Sequence, residues 1–325
     1  MAAPTANDEA AAKRPKIQPS RFFAGHAERR GAREAIEDVC VVQEQLDLQR
    51  QACARISSAA YFACFDGHAG RRAADHCAEH MLPHILAHLP SLSDFGSKEC
   101  ATKIRKSLGQ AFAAEDREFL ALARAGQPQW KDGCTATVCL ALNDVLFTAN
   151  VGDAKAILVR YKEAPTVADT ESVLPMLVDQ DIATLVLTKD HNPVVYEERQ
   201  RIQKAGGSVT DNRVQGVLGV SRSIGDGRYK HLGVSSQPFT SKCTLDPNKD
   251  LFLVLACDGL WGTLSASDVI QFCMKAFGEA EQDDQLAGQP KLQATHVAAR
   301  LANHAVEKGA SDNVSVLLVR FATKP

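Results

Sequence analysis

The chain has 325 residues, of which 45% are hydrophobic and 23% charged, and a formal net charge of -2. That is enough for one large domain or two average ones around an ordinary soluble core. The near-neutral balance gives no whole-surface case for nucleic acid or membrane binding, and no apolar run approaches the ~18 residues of a membrane helix.

The opening residues, MAAPTANDEA, carry acids and no basic leader, which argues against secretory and mitochondrial targeting. Residues 1–19, rich in Ala, Pro and charge, are expected to be a disordered basic tail. Lys13-Arg14-Pro15-Lys16 reads equally as a nuclear import signal or as solvated tail. The expected location is the cytoplasm, with the nucleus open on that motif. The ten cysteines sit mostly inside apolar segments, as Cys64, Cys139 and Cys257 do, and form no C-x-x-C pair. They read as reduced core thiols of an intracellular protein.

A single folded domain is expected over residues 20–325. Tyr61–Phe65 is a short apolar run suited to a buried strand. Ala74, Cys77, Ala78, Met81, Leu82, Ile85, Leu86 and Leu89 then repeat at helical spacing, and Ile104, Leu108, Phe112 and Phe119 share one face of a second helix. Three strands follow, Cys134–Leu142, Val145–Val151 and Ala154–Tyr161, joined by Asn143-Asp144 and Gly152-Asp153. Both links suit tight hairpins, so an antiparallel sheet is expected. Lys162–Ala183 is acidic and irregular and reads as an exposed loop, and a helix after His191-Asn192-Pro193 stops at Gly206-Gly207. Leu251–Cys257 is a further apolar strand. Ser265 caps a helix expected to run to Phe277, and Glu279–Gln289 reads as loop. A last helix carries Val297, Leu301 and Ala305 on one face, and a last strand spans Val314–Phe321. Helices interspersed with antiparallel hairpins suggest stacked sheets covered by helices.

Carboxylates mark the strand ends. Asp66 ends Tyr61–Phe65, Asp258 follows Leu251–Cys257, Asp312 precedes Val314–Phe321, and Glu37-Asp38 adjoins an apolar stretch ending at Val42. A rigid scaffold can aim such side chains into one cleft. Two carboxylates ~4 Å apart repel by ~4 kcal/mol at an effective dielectric of ~20, so a converging group needs a cation or large pKa shifts. All-oxygen ligation suits Mg²⁺ or Mn²⁺ rather than zinc. The competing reading is that Asp66-Gly67 and Asp258-Gly259 are ordinary turn pairs, and spacing alone does not separate the two.

Seven segments in order resemble the metal-dependent serine/threonine protein phosphatases of type 2C. They are Gly31–Asp38, Phe65-Asp66-Gly67-His68-Ala69-Gly70, Gly133-Cys134-Thr135-Ala136, Asn150-Val151-Gly152-Asp153, Val220–Asp226, Ala256–Trp261 and Ser311-Asp312-Asn313-Val314. The resemblance covers residues 20 to 322. Trp130–Gly133, Glu197-Glu198-Arg199 and Arg201–Gly207 resemble the integrin-linked kinase-associated subgroup of that family.

The resemblance implies an α+β fold: two stacked antiparallel sheets flanked by helices, a four-layer α-β-β-α sandwich, with a flap near residues 192–238. It implies two Mg²⁺ or Mn²⁺ ions and a third, weaker one. Asp66 would bridge the first two, the Gly67 carbonyl would bind one, and Asp258 and Asp312 the other. Glu37 and Asp38 would position metal-bound waters, and Asp153 would help hold the third ion. A metal-activated water would attack phosphorus, Arg33 would grip the phosphate with its planar fork, and His68 would protonate the departing Ser or Thr oxygen. Thr135, Ser221 and Gly225 would shape turns, Trp261 would pack, and Arg222 would form an internal ion pair. The implied partners are phosphorylated proteins and kinases or their complexes, with no nucleic acid or membrane, on a monomeric enzyme.

The sequence departs from the family pattern in three places, covering four residues. Ala69 replaces a frequent glycine, which matters only if its φ is positive. Ala154-Lys155 replaces Ser-Arg, and Gly262 stands where many members carry aspartate. The alternative function is a catalytically inactive scaffold that binds phosphoproteins. A cysteine-based phosphatase is excluded because no cysteine has an arginine six positions on. No P-loop or H-E-x-x-H motif occurs, and no basic stripe supports a nuclease.

Overall fold

The computed structural model describes residues 21–48, 56–162, 170–171, 174–177 and 182–321. The expected basic tail, with its candidate import signal, lies outside the described residues.

The described chain opens with β1 (Phe22–Arg29), β2 (Val39–Gln43), β3 (Ala59–Phe65) and the two-residue β4 (Gly67–His68), then α1 (Arg72–His88) and α2 (Lys98–Ala125). Next come β5 (Gly133–Cys134), β6 (Ala136–Leu142), β7 (Val145–Val151), β8 (Lys155–Tyr161), β9 (Thr170–Glu171), β10 (Leu174–Leu177) and β11 (Ile182–Val186). After α3 (Tyr196–Lys204) stand the short pairs β12 (Val209–Thr210), β13 (Arg213–Val214) and β14 (Ile224–Gly225), then β15 (Phe239–Thr244) and β16 (Asp250–Ala256). A one-turn helix α4 (Asp258–Trp261), α5 (Ala266–Gln282), α6 (Pro290–Glu307) and β17 (Val314–Phe321) complete the described chain.

Two six-stranded sheets dominate, ordered β1-β17-β16-β8-β11-β10 and β2-β3-β6-β7-β15-β9, and every pairing in them is antiparallel. Side chains alternate across a strand, so a strand between two layers must be apolar at every position. β3 is buried throughout for that reason. Its Ala60, Phe62 and Cys64 meet Leu158, Leu253, Leu255, Leu317 and Val319 of the other sheet. Its Tyr61, Ala63 and Phe65 face Met81 and Ile85 of α1 and Phe112 of α2. On the far side, Ile157, Val254 and Leu318 pack against Ile270 and Cys273 of α5 and Val297 and Leu301 of α6. The result is the expected four-layer α-β-β-α sandwich.

Three sequence expectations need correction. The Gly152-Asp153 link is not a hairpin within one sheet: β7 pairs with β6 and β15, whereas β8 pairs with β16 and β11. Gly152, at φ 86°, hands the chain from one sheet to the other. The loop expected over Lys162–Ala183 contains β9, β10 and the start of β11, which extend both sheets at their edges. The helix capped by Ser265 runs past Phe277 to Gln282. Ser265 and Asp268 form its reciprocal capping box.

The segment expected to be a flap has its own small core of Ile202, Val214, Leu218, Val220 and Val234. Glu198 fastens it. Buried at 1% exposure, this carboxylate accepts from Arg222 Nη2 at 2.7 Å, Arg201 Nη2 at 2.7 Å and Ser221 Oγ at 2.6 Å. The arginines and hydroxyl outweigh the cost of burial and hold the Glu198 carboxyl below its ordinary range. Arg222 is thus the internal ion-pair partner expected from sequence.

Candidate active site

The strand directions bring the singled-out carboxylates to one end of the sandwich. Antiparallel pairing puts the end of β3 beside the start of β2, and the end of β16 beside the start of β17. Asp66 follows β3, Asp38 precedes β2, Asp258 follows β16 and Asp312 stands two residues before β17. The crossover at Gly152 delivers Asp153 to the same end.

A clamp centred on Asn313 positions the segment from Arg30 to Asp38. The Asn313 side-chain amide donates to the carbonyls of Arg30 (2.9 Å) and Ala35 (3.0 Å), and its oxygen accepts the Glu37 N–H at 2.8 Å. The Ala32 N–H adds a bond to the Ser311 carbonyl at 3.1 Å. The backbones on this side approach so closely that a Cβ on Gly259 would lie 1.9 Å from the Asn313 carbonyl oxygen. Arg33 reaches Asp312, with Nη2 2.6 Å from Oδ2, and its own side chain is 57% exposed at the cleft mouth.

The electrostatics are those of acids crowded with too little compensating charge. Burial pushes the Asp66 carboxyl well above its ordinary range, and Asp38, Asp258, Asp153 and Asp312 push it further. Asp153 rises to about 7, first through burial and then through Asp258. Asp38 rises to about 6, first by burial and then through Asp312 and Asp258, with Ser315 and Cys257 opposing. Asp258 is also raised, by burial and then by Asp312, with Arg33 opposing. The Oδ2 of Asp38 is buried and has no hydrogen-bond partner.

His68 joins the cleft through β4, where its backbone pairs with Gly133. Its Nε2 lies 2.8 Å from Oδ2 of Asp226, a carboxylate 3% exposed. Burial lowers the imidazole pKa, but the charge and hydrogen bond of Asp226 outweigh it and leave it above the ordinary value. A Cβ on Gly133 would lie 2.3 Å from the Asp226 oxygen and 2.5 Å from His68 Nε2, so this contact requires a glycine there.

An acidic group with an orphaned buried oxygen and mutually raised carboxyls is the donor set a hard cation satisfies, and all its donors are oxygens. The residues present therefore fit Mg²⁺ or Mn²⁺. The side chains are not drawn into a tight ligand cage: Asp66, Asp258 and Asp312 are not among the groups of three whose donor atoms all lie within 4.8 Å of one another. Asp312 is instead engaged by Arg33 through Oδ2 and by the Asn313 N–H through Oδ1.

Sequence reasoning missed Asp226 and Asn313 as positioning residues, although both stand within the motifs singled out. Three supporting expectations agree with the structure. Thr135 exchanges hydrogen bonds with Asp66 at 2.9 and 3.3 Å. Ser221 bonds Glu198, and the Trp261 indole donates to the Ala256 carbonyl at 3.0 Å. Lys155 pairs with Asp190 at 3.2 Å.

A profile of the family described as Protein phosphatase 2C matches residues 24–314. The integrin-linked kinase-associated serine/threonine phosphatase 2C of Bos taurus is 41% identical over 298 residues, covering 91% of this chain and 75% of that protein. Its Homo sapiens counterpart is 42% identical over 298 residues, covering 91% and 71%. These are the relatives that the segments from Trp130 to Gly133 and from Glu197 to Gly207 resemble. The solved serine-threonine phosphatase 2C of Toxoplasma gondii superposes with a TM-score of 0.70 at 20% identity, covering 94% of this chain and 97% of that one, and so shares the fold. With a family match that spans nearly the whole described chain and relatives this similar, the protein belongs to the protein phosphatase 2C family of metal-dependent serine/threonine phosphatases.

Proposed function

We propose that this chain hydrolyses phosphoserine and phosphothreonine in proteins at the cleft formed by Asp38, Asp66, Asp153, Asp258 and Asp312, with His68 as general acid. The observation that carries the reading is the pairing of this crowded acidic group with His68, an imidazole held above its ordinary pKa by Asp226. Asp66, Asp258, Asp312 and the Gly67 carbonyl would hold two ions, Asp153 a third, and Glu37 and Asp38 would orient the waters around them. Divalent ions, when bound, supply an acidified water and offset charge on the phosphoryl oxygens.

The remaining steps belong to the chain's own groups. Arg33, exposed at the mouth, can turn from Asp312 to two phosphoryl oxygens, since its planar fork pairs bidentately. An alkoxide is a poor leaving group, so a proton must reach it as the P–O bond breaks. With Nε2–H donated to Asp226, the imidazolium of His68 keeps its second proton on Nδ1, the nitrogen free to serve the departing oxygen.

The test is release of phosphate from a phosphothreonine peptide in EDTA, Mg²⁺ or Mn²⁺, with Asp66→Asn alongside. Turnover with either ion, lost in EDTA and in the variant, is expected. Tight peptide binding without turnover at saturating Mn²⁺ would favour the inactive scaffold instead. The names of the mammalian relatives refer to integrin-linked kinase, and on that similarity this chain is proposed to act, as a monomer, on phosphoproteins in kinase complexes. Co-purification of a kinase with the Asp66→Asn variant, compared with a tail-deleted chain, checks this.

A further inference from the structure

Away from the cleft, the contact between α1 and α2 gathers nitrogen as well as oxygen donors. His76, His80 and His84 recur every four residues along α1, so they share one face. Glu115 and Glu118 on α2 lie against that face, with His84 Nε2 3.0 Å from Glu118 Oε2. His76, His80 and Glu118 each offer one ligand atom, and these atoms all lie within 4.8 Å of one another.

Two further observations point to a ligand. The His76 side chain is 9% exposed and its Nδ1 lies 2.6 Å from Oε1 of the fully buried Glu115. As acceptor of the Nδ1–H hydrogen bond, the carboxylate selects, in the neutral imidazole, the tautomer whose Nε2 lone pair faces the cluster. A ligating histidine with a carboxylate behind it has this arrangement. That Nε2 is buried and has no hydrogen-bond partner, and its approach to Glu118 Oε1, 3.8 Å, is too long for one. The ring is also fixed: Phe119 meets it edge-on at 5.6 Å and His80 lies 4.3 Å away, centroid to centroid. A buried nitrogen held rigidly toward other donors with nothing to bond is a cost unless something occupies the space between them.

We propose that His76, His80 and Glu118 form a site for a divalent transition ion of the zinc class, with Glu115 orienting His76 and His84 at the rim. Imidazole donors favour such ions over Mg²⁺, in contrast to the all-oxygen cleft. Bonds of about 2.0–2.2 Å on a tetrahedral ion bring ligand atoms to about 3.4 Å from each other. Small rotations of His80 and Glu118, whose side chains are 41% and 46% exposed, close the remaining gap. The same exposure gives the ion a path from solvent and leaves a coordination position for water. The site would join the two helices of one outer layer, and it does not rest on the phosphatase reading.

The test is equilibrium dialysis of the full chain against Zn²⁺ in millimolar Mg²⁺, which fills the oxygen cleft, together with Co²⁺ absorption spectroscopy. One Zn²⁺ per chain is expected, with affinity at least about tenfold weaker in Glu118→Gln and in His80→Gln. Both positions are half-exposed, and far-UV circular dichroism and the metal-free Tm of each variant should match the parent. Asp66→Asn should retain the ion, and Co²⁺ should give visible bands of a nitrogen and oxygen site. Absence of a bound ion, affinity in both variants equal to the parent's, loss in Asp66→Asn, or a near-ultraviolet cobalt–thiolate band would each overturn the assignment.

Discussion

Asp226 closes on His68 across two separate chain segments, with Oδ2 2.8 Å from Nε2 at the one point where Gly133 leaves room. Asp226 itself is held in a left-handed conformation, φ 52°, and its N–H donates to the Asp132 carbonyl at 3.0 Å. The carboxylate thus has a fixed place from which to tune the imidazole.

Asp226→Asn is expected to weaken His68 as an acid without removing it. The aspartate raises the His68 pKa, so the acid form is present below that value and is lost as pH rises through it. With asparagine the alkaline fall of kcat should move to lower pH. His68→Ala should lose about 10²–10⁴-fold on alkyl phosphates and much less on p-nitrophenyl phosphate, whose leaving group needs no proton. Equal losses on both substrates, or an unmoved alkaline limb in Asp226→Asn, would count against the acid role.

Metal stabilisation should depend on pH in a defined direction. Asp153 is raised to about 7 and Asp38 to about 6, both mainly by burial among other acids. Raised carboxyls bind protons that an ion must displace, so affinity falls as pH drops through this range. The increment in Tm produced by Mg²⁺ over EDTA should be largest near pH 8 and shrink steeply between about pH 7 and 6. Comparing the two conditions cancels groups that titrate without the ion, such as His191, which burial and then Arg222 push down to about 3. A pH-independent increment would remove the link between these carboxyls and the ion.

The unbroken apolar runs of β3 and β16 made the core legible in the sequence, because only a strand packed on both faces needs every side chain apolar. The aspartates after them followed directly. The pairing partner of a strand was not legible: Gly152-Asp153 has the composition of a hairpin turn, and only the ladders of β7 and β8 show that it crosses between sheets. β15 was missed because Phe239–Thr244 buries only Ser241 and Cys243, which leaves a weak apolar signal. Asp226 and Asn313 lay inside recognised segments, but their roles rest on contacts across 158 residues to His68 and 276 to Glu37, which local pattern cannot supply.

Glu198→Ala should destabilise the flap more than the sandwich. Removing one member of a buried ion network leaves its partners uncompensated, at a cost of about 3–5 kcal/mol. Arg201 and Arg222 retain 31% and 21% exposure, so water relieves part of this and the lower end is expected. Because Glu198 is held below its ordinary range, the parent protein has this contribution above the unfolded carboxylate value and loses it as pH falls. Limited proteolysis should cut the variant first between residues 192 and 238, whereas cleavage spread evenly over the chain would contradict a local effect.

Ala69 is the departure from the family pattern that the backbone resolves. It stands at φ 57°, immediately after His68, in the region where a side chain crowds the following carbonyl. Non-glycine residues there cost roughly 1–2 kcal/mol, and glycine gives back about 0.5–1 kcal/mol through the added freedom of the unfolded chain. Ala69→Gly should therefore stabilise the protein, by up to about 1 kcal/mol in urea unfolding. Ala69→Val, which adds a β-branch at the same φ, should destabilise it. The residue is exposed, so neither change creates a cavity, and the sign reports backbone strain against the entropy of the unfolded chain. If Ala69→Gly lowers stability, the strain of the left-handed geometry beside His68 is smaller than the freedom that glycine adds to the unfolded chain, and the glycine usual at this position answers to something other than φ.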